Sequence, residues 1–361
     1  MRASDLTSGS SLTPRSLKRW ATVAAAGSLA GAAAAGIAYR RSPVVQREVL
    51  EAKRFVSALP TLRVGAPLPP PTPPGKVLLL PGRGEVFVRD SGPVEGRPEA
   101  PTVLLLHGWT ASADLNFFPV YGPLAERYRV VGVDHRGHGR GLRSVEHFTL
   151  EDCADDAAAV LRELGIDRAI VLGYSMGGPI ALLLAQRHPD LVAALVSQAT
   201  ALEWRGTAYE RLVWRGLALW ELNRRFGTFD VVVERIVREA VKYAPEVEPY
   251  APWLVAEFRR GSGAWLTEAG RALSEFDARP FASRLGIPAV VCVTTKDRLV
   301  RPHKQRQLAD ALSAEVIEIA GDHGVPVMRG ARYTQATVAA VDQVAAAAGL
   351  GAAAHVGAAV G

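Results

Sequence analysis

The stretch VLGYSMGGP, residues 171–179, places Ser175 among three glycines directly after a run of apolar residues. Residues 173–177 (GYSMG) fit the pattern G-x-S-x-G, in which a sharp turn between a strand and a helix exposes a serine hydroxyl. A pattern this short also arises by chance, and a serine in a tight bend need not react. The rest of the chain therefore has to supply the partners of a nucleophile.

Strand-like and helix-like runs alternate from residue 76 onward. Residues 76–92 have the pattern of a hairpin, and two helical runs, at 149–164 and 177–189, separate several of the later strands. Continuous apolar runs of strand length lie at 102–107, 128–134, 169–174, 193–199, 289–295 and 314–320. Such runs are typical of parallel strands covered on both faces. The pattern predicts an α/β fold with a mostly parallel, doubly wound sheet, whose ligands bind at the carboxyl ends of the strands.

The alternation stops between residues 200 and 280, a segment that is helix-like and holds five of the seven tryptophans, Trp204, Trp214, Trp220, Trp253 and Trp265. An insertion beside the strand ends predicts a helical cap over the site, with some of these rings lining an apolar pocket. Any single ring could instead pack within the cap's own core. The folded domain is predicted to span residues 76–345, followed by an Ala/Gly-rich tail at 346–361.

The basic character of the chain is confined to its N-terminal arm, residues 1–58. The whole formal net charge of +6 arises within residues 1–60, so the remainder is neutral and lacks the basic stripe of a nucleic-acid-binding domain. An uncharged tract at 20–39 is long enough to span a bilayer, which predicts membrane association. Because alanine and glycine dominate this tract, the alternatives are a signal peptide that is cleaved on secretion and a peripheral or disordered arm. The alternative localisations are accordingly secreted or cytoplasmic. A proline-rich linker at 59–75 follows.

A serine nucleophile needs a base, and His323 is the best-placed histidine. It follows the last strand run, so it reaches the same edge of the sheet as Ser175. His188, at a helix end beside a proline, and His303, at a polar helix start, are expected on the surface.

The base in turn needs a carboxylate that fixes its tautomer. Asp297 stands just past its strand run at the same edge of the sheet. Glu203, which follows the preceding strand, is the alternative acid. Asp322 adjoins His323 but would have to fold back to reach its ring.

Two backbone N–H groups are expected to bind the oxyanion of the reaction, those of Met176 and Trp109. Met176 follows the nucleophile, and Trp109 lies where the chain turns at HGW. No cofactor is expected. The two cysteines, Cys153 and Cys292, lie far apart in the sequence and form neither a zinc site nor a disulfide framework, so no metal is expected either.

The order Ser175, Asp297, His323 is that of the α/β-hydrolase triad, and the sequence resembles this superfamily. The matching pieces are HGW 107–109, DHRGHGRG 134–141, GYSMGG 173–178, TTKDRLVRP 294–302 and GDHGVP 321–326. The resemblance implies that DHRGHG is a structural turn, so that Asp134, His135 and His138 are not catalytic. It covers neither the arm nor the tail.

The resemblance also implies the chemistry. Related enzymes that open epoxides or displace halides carry an aspartate at the elbow, whereas Ser175 favours acyl transfer and hydrolysis of a small-molecule ester. An aromatic, neutral cap favours lipophilic acyl or alcohol groups. Two alternative reactions, C–C bond hydrolysis and cofactor-free perhydrolysis, use the same triad. A third alternative is a non-catalytic protein of the hydrolase fold, which binds a ligand without turning it over. The acyl group and the oligomeric state stay open.

Overall fold

The computed structural model describes residues 68–144, 146–215, 228–261 and 263–350. The predicted arm with its tract at 20–39 lies outside these ranges, as do most of the proline-rich linker and nearly all of the tail. Among the helices of the described ranges, none combines the length and hydropathy required to cross a bilayer.

Eight strands and eleven α-helices form the described part of the chain. The strands are β1 (Gly75–Leu80), β2 (Gly84–Asp90), β3 (Thr102–Leu106), β4 (Arg129–Val133), β5 (Ala169–Tyr174), β6 (Val192–Gln198), β7 (Ala289–Thr294) and β8 (Glu315–Ile319). The helices are α1 (Ala113–Phe117), α2 (Tyr121–Ala125), α3 (Leu150–Glu163), α4 (Gly177–Arg187), α5 (Ala208–Arg215), α6 (Thr228–Tyr243), α7 (Ala251–Phe258), α8 (Gly263–Glu275), α9 (Pro302–Leu312), α10 (Val325–Met328) and α11 (Gly330–Ala347). Short 3₁₀ turns occupy Pro189–Leu191, Pro245–Tyr250 and Ala282–Arg284.

The strands form one sheet in the order β1-β2-β4-β3-β5-β6-β7-β8. The hairpin β1–β2 and the pair β2–β4 are antiparallel, and all later pairs are parallel. Helices α3, α4 and α9 contribute to the core on one face, while α1, α2 and α11 contribute to the core on the other. The predicted mostly parallel, doubly wound α/β fold is thereby confirmed.

The register of the parallel strands brings their carboxyl ends to one edge. Tyr174 at the end of β5 lies opposite Gln198 on β6, and Thr294 at the end of β7 lies opposite Ile319 on β8. Side chains that follow β5, β7 and β8 therefore meet at this edge, as parallel sheets require.

A local sequence signal accounts for the start of helix α3. Thr149 caps α3 by accepting a hydrogen bond from Asp152 N at 3.0 Å, as expected of threonine before an amphipathic run.

Strand β8 departs from the expectation of strands covered on both faces. It lies at the sheet edge, and its residues Glu315 and Val316 are exposed. An apolar run alone does not tell an edge strand from a central one.

Between β6 and β7 the described residues contain the four helices α5 to α8, in the interval where a cap is predicted. We call residues 200–280 the cap segment; its boundaries and those of the other domains stay predictions. A separate apolar cluster joins it to the sheet domain, because residues of α6 and α7 pack there with Ala111 and Leu115.

The tryptophans of the cap segment serve mainly as packing. Trp220 lies outside the described residues, Trp204 and Trp253 are buried, and Trp214 and Trp265 are half-buried. The rings of Trp204 and Trp214 pack edge to face, with their centroids 6.2 Å apart. Trp204 belongs to the core cluster on one face of the sheet, and Trp214 and Trp265 pack against that cluster.

Candidate active site

Ser175 follows β5 without a linker and adopts a left-handed backbone conformation, with φ of +53°. Its N–H donates to Gln198 O at 2.8 Å, and its side chain is largely buried. A Cβ on Gly177 would overlap the carbonyl oxygen of Leu106, so only glycine fits there. A non-glycine residue held at positive φ between a strand and a helix is the geometry of a nucleophile elbow.

His323 lies in the loop after β8 and points its ring at this elbow. Its Nε2 is 3.0 Å from Ser175 Oγ, which is hydrogen-bonding distance. The hydroxyl of Tyr174 donates to the backbone carbonyl of His323 at 2.7 Å, which fixes the loop against β5. The imidazole side chain is about one-fifth exposed, at 21%. It is thus held in place yet open to a small molecule.

Asp297 lies in the loop after β7 and closes the chain of hydrogen bonds. Its Oδ2 is 2.8 Å from His323 Nδ1, and Oδ1 accepts from Leu299 N at 2.8 Å and Val300 N at 2.9 Å. Thr294 Oγ1 adds a contact to Oδ2 at 2.9 Å. The carboxyl side chain has no exposed surface. Because its neighbours are donors, the carboxylate holds the proton of the imidazole on Nδ1 and leaves Nε2 free to accept.

The alternative acids have other partners. Glu203 forms an ion pair with Lys304 at 2.9 Å, and Asp322 Oδ1 accepts from Gly324 N at 2.9 Å. Within the described ranges, the carboxylate hydrogen-bonded to the His323 ring is that of Asp297.

The two histidines expected on the surface differ. His303 is exposed, as predicted. His188 is half-buried, with Nε2 2.8 Å from Asp155 Oδ1, so the prediction of a surface residue is wrong for it. A carboxylate on the neighbouring helix α3 covers its ring, and a long-range contact of this kind has no local sequence signal.

The loop from His107 to Ser112, which we call the HGW loop, abuts the elbow. A Cβ on Gly108 would lie 3.1 Å from Ser175 Cβ and 3.4 Å from Tyr174 O, so the two backbones approach closely. Trp109 is the next residue, while Met176 follows Ser175 and is the N-cap residue of α4. The structure therefore brings the segments that carry both predicted oxyanion donors against the serine.

The predicted structural turn DHRGHG is buried and serves to hold loops together. Asp134 accepts from Ala113 N at 2.7 Å and from Arg140 N at 2.8 Å, and burial raises its pKa to about 6. Burial lowers the pKa of His135 to about 3 and that of His138 to about 4, since the apolar surroundings disfavour the charged ring. Both rings are therefore neutral at physiological pH.

Three supporting residues were not singled out from the sequence. Tyr174 fixes the His323 loop, and Thr294 contacts Asp297. Gln305, fully buried on α9, donates to Val300 O at 2.6 Å and accepts from Thr294 N at 2.9 Å, which ties together the loop that carries the carboxylate. Tyr174 lies inside the elbow motif and could have been noticed there. A glutamine on a polar helix gives no such signal.

Comparison with known proteins agrees with this geometry. Residues 101–326 match the family described as the alpha/beta hydrolase fold. The chain is 29% identical over 251 residues to the putative carbamate hydrolase RutD of Serratia proteamaculans, covering 64% of this chain and 86% of the relative. It is 30% identical over 205 residues to a pimeloyl-[acyl-carrier protein] methyl ester esterase of Neisseria meningitidis, covering 55% and 77%.

A solved structure shows the same fold. The enol-lactonase from Burkholderia xenovorans LB400 superposes with a TM-score of 0.63 at 23% identity, covering 74% of this chain and 99% of the other. The family match extends over more than half of the chain and includes the elbow and the loops after β7 and β8. The chain is a member of the α/β-hydrolase family.

Proposed function

We propose that this protein is a serine hydrolase that cleaves carboxylic esters with lipophilic acyl or alcohol groups. The observation that carries the proposal is the continuous hydrogen-bonded chain from Ser175 through His323 to Asp297, with contacts of 3.0 and 2.8 Å. A serine hydroxyl becomes a useful nucleophile when an oriented imidazole accepts its proton.

Each residue of this chain has a step in the proposed reaction. Ser175 Oγ attacks the ester carbonyl while its proton passes to His323 Nε2, and Asp297 stabilises the resulting imidazolium. The backbone N–H groups of Trp109 and Met176 bind the oxyanion of the tetrahedral intermediate. His323 then returns the proton to the departing alcohol. Water activated by the same imidazole hydrolyses the acyl-serine and regenerates the free hydroxyl.

The surroundings of the elbow favour a substrate with apolar groups. The indole of Trp109, half-buried beside Gly108, lies 6.0 Å from the ring of Trp214, which favours apolar groups near the nucleophile. The similar proteins are named for reactions on a methyl ester, a carbamate and an enol-lactone, and each of these groups carries a carbonyl bonded to a heteroatom. An ester is the simplest substrate that fits both observations.

A chain-length series of p-nitrophenyl esters, from acetate to laurate, tests the proposal on the wild type and on Ser175→Ala. We expect the wild type to hydrolyse these esters with kcat/KM rising from acetate toward medium chains. The kcat of Ser175→Ala should be about 10⁴-fold or more below that of the wild type. Without the nucleophile, the catalysis that remains comes only from the oxyanion site and from substrate binding. If the enzyme hydrolyses a C–C bond or forms a peracid but leaves these esters intact, the site belongs to one of the alternative reactions. Ester turnover by Ser175→Ala equal to that of the wild type would contradict the mechanism.

We further propose that residues 20–39 attach the enzyme to a membrane. Support comes from the length of this uncharged tract and from basic residues on both of its flanks. Fractionation of the full-length chain and of a chain lacking residues 1–60 tests this, with the N-terminus of the recovered protein read by mass spectrometry. Sedimentation of only the full-length chain with membranes supports an anchor. A soluble full-length chain, or one cleaved near residue 35, contradicts it.

A further inference from the structure

The HGW loop holds a conformation that it does not favour by itself. Thr110, a β-branched residue, has φ of +63°, in the left-handed region where such residues are strained. The loop has one internal backbone bond, from Ala111 N to Gly108 O at 3.3 Å, which is long. Strained backbone persists only where its surroundings hold it in place. The contacts that hold this loop therefore set where Trp109 N lies relative to Ser175.

Two of those contacts come from the cap segment. The indole Nε1 of Trp109 donates to Leu266 O on α8 at 2.7 Å. At the other end of the loop, Ser112 Oγ donates to Glu257 Oε2 on α7 at 2.8 Å. The loop is thus tied to the cap segment at both ends of the strained turn.

The acceptor on α8 is itself fixed to the sheet domain. The side chain of Trp265 lies directly on Gly137, where φ is +71° and a Cβ would overlap the indole. Glu268 Oε2 accepts from Phe148 N at 2.9 Å. Because these contacts do not involve the HGW loop, Leu266 O remains a fixed acceptor for the Trp109 indole.

The acceptor on α7 is a buried charge. The carboxylate of Glu257 has no exposed surface and is held by the guanidinium groups of Arg140 and Arg260 in addition to Ser112. Arg140 in turn follows the buried turn at Asp134, which accepts its N–H at 2.8 Å. A buried carboxylate with several charged donors has a narrow choice of positions. Its contact with Ser112 therefore fixes the end of the HGW loop.

We propose that the Trp109 indole and Glu257 are positioning residues, through which the cap segment sets the oxyanion donor Trp109 N against Ser175. The inference rests on the proposed function, because it assigns a role to the surroundings of that oxyanion site. Oxyanion donors act on the transition state more than on the bound ester, and displacements near 1 Å can cost about 100-fold in rate. Loss of either contact should therefore lower kcat and leave KM nearly unchanged.

The test compares Trp109→Phe and Glu257→Gln with the matched control Trp253→Phe, all in the full chain. Trp253 is a buried indole on α7 that packs on Phe118 with ring centroids 5.7 Å apart, so the control also removes an indole from the cap interface. On p-nitrophenyl acetate we expect kcat to fall about 10- to 100-fold in the two test variants, with KM within about twofold. The control should stay within about twofold of the wild type in both constants.

A transition-state analogue adds a readout that general loosening of the fold would not give. The inhibition constant of an alkyl trifluoromethyl ketone, which forms a tetrahedral oxyanion on serine, should rise by the same factor as kcat falls. The midpoint of the kcat–pH profile should not move, because the contacts of His323 with Ser175 and Asp297 are untouched. Thermal unfolding confirms that each variant is folded, and Glu257→Gln and Trp109→Phe test the proposal independently.

Two results would overturn the inference. One is a kcat of Trp109→Phe and Glu257→Gln equal to that of the Trp253→Phe control. The other is a loss of kcat/KM that arises wholly in KM, which would make the indole a substrate contact. The parallel Ser175→Ala variant separates the two proposals. If it keeps wild-type turnover, the proposed function fails, whereas if it is inactive and the test variants match the control, only the positioning role fails.

Discussion

Replacement of Asp297 by asparagine removes one charge and turns one acceptor oxygen into a donor amide. In the folded protein Oδ1 accepts from Leu299 N at 2.8 Å and Val300 N at 2.9 Å, and Oδ2 lies 2.8 Å from His323 Nδ1. Asparagine has only one acceptor oxygen. Since backbone N–H groups cannot accept, that oxygen stays with them, and the amide NH₂ of Asp297→Asn points at the imidazole.

The imidazole then adopts the wrong tautomer. An NH₂ group facing Nδ1 makes that nitrogen an acceptor, so the ring proton moves to Nε2, which faces Ser175 Oγ at 3.0 Å. Protonated Nε2 of His323 donates to the serine and cannot take its proton. We expect kcat to fall about 10⁴-fold, the loss that the wrong tautomer causes in Ser-His-Asp enzymes. This loss corresponds to about 5 kcal/mol of transition-state stabilisation.

The assay is steady-state hydrolysis of p-nitrophenyl butyrate, with thermal unfolding as a check that Asp297→Asn is folded. Glu203→Gln is the matched control, because it neutralises another mostly buried acid, paired with Lys304 at 2.9 Å. It should retain kcat within about threefold of the wild type. An Asp297→Asn enzyme within tenfold of the wild type would refute the reasoning, and an equal loss in Glu203→Gln would move the role of the acid.

Two further predictions concern stability. Gly177→Ala should lower the free energy of unfolding by about 3 kcal/mol, because its Cβ would overlap Leu106 O. Gly122→Ala on α2 has open space around the added Cβ, so its free energy of unfolding should stay within about 1 kcal/mol of the wild type. Equal urea midpoints for the two variants would contradict this prediction. His135 and His138 have folded-state pKa values of about 3 and 4, below the ordinary 6.5, so unfolding takes up protons in acid and stability falls as pH falls. Between pH 6.5 and 4.5, protonation of each histidine in the unfolded chain should lower the free energy of unfolding by about 2 kcal/mol. In urea titrations at the two pH values, the free energy of unfolding of His138→Asn should therefore fall by less than that of the wild type. Equal falls in the variant and the wild type would count against the buried-histidine explanation.

Much of the fold and site could be predicted because the decisive signals are local. Continuous apolar runs marked the central strands, and parallel strands bring the residues after them to one edge. Ser175, Asp297 and His323 each follow a different strand, so their positions in the sequence already implied that they meet. The elbow motif is also local, since residues 173–177 are consecutive, although the overlap that Gly177 avoids is with the distant carbonyl of Leu106.

What the sequence did not indicate depends on long-range pairing. Glu257 meets Ser112 across 145 residues, and the Trp109 indole meets Leu266 across 157, with no periodicity or motif to connect them. The half-burial of His188 by a carboxylate on another helix was mispredicted for the same reason. Helical patterns in the cap segment predicted helices but not the surface on which they rest, because tertiary packing decides that.

The central claim, that Ser175 is the nucleophile, is tested most directly by mapping the adduct of a fluorophosphonate on the full-length protein. We predict one adduct per folded chain, on the peptide that contains Ser175, and no adduct in Ser175→Ala or in urea-unfolded wild type. Labelling retained by Ser175→Ala, or an adduct on a different residue of the wild type, would contradict it.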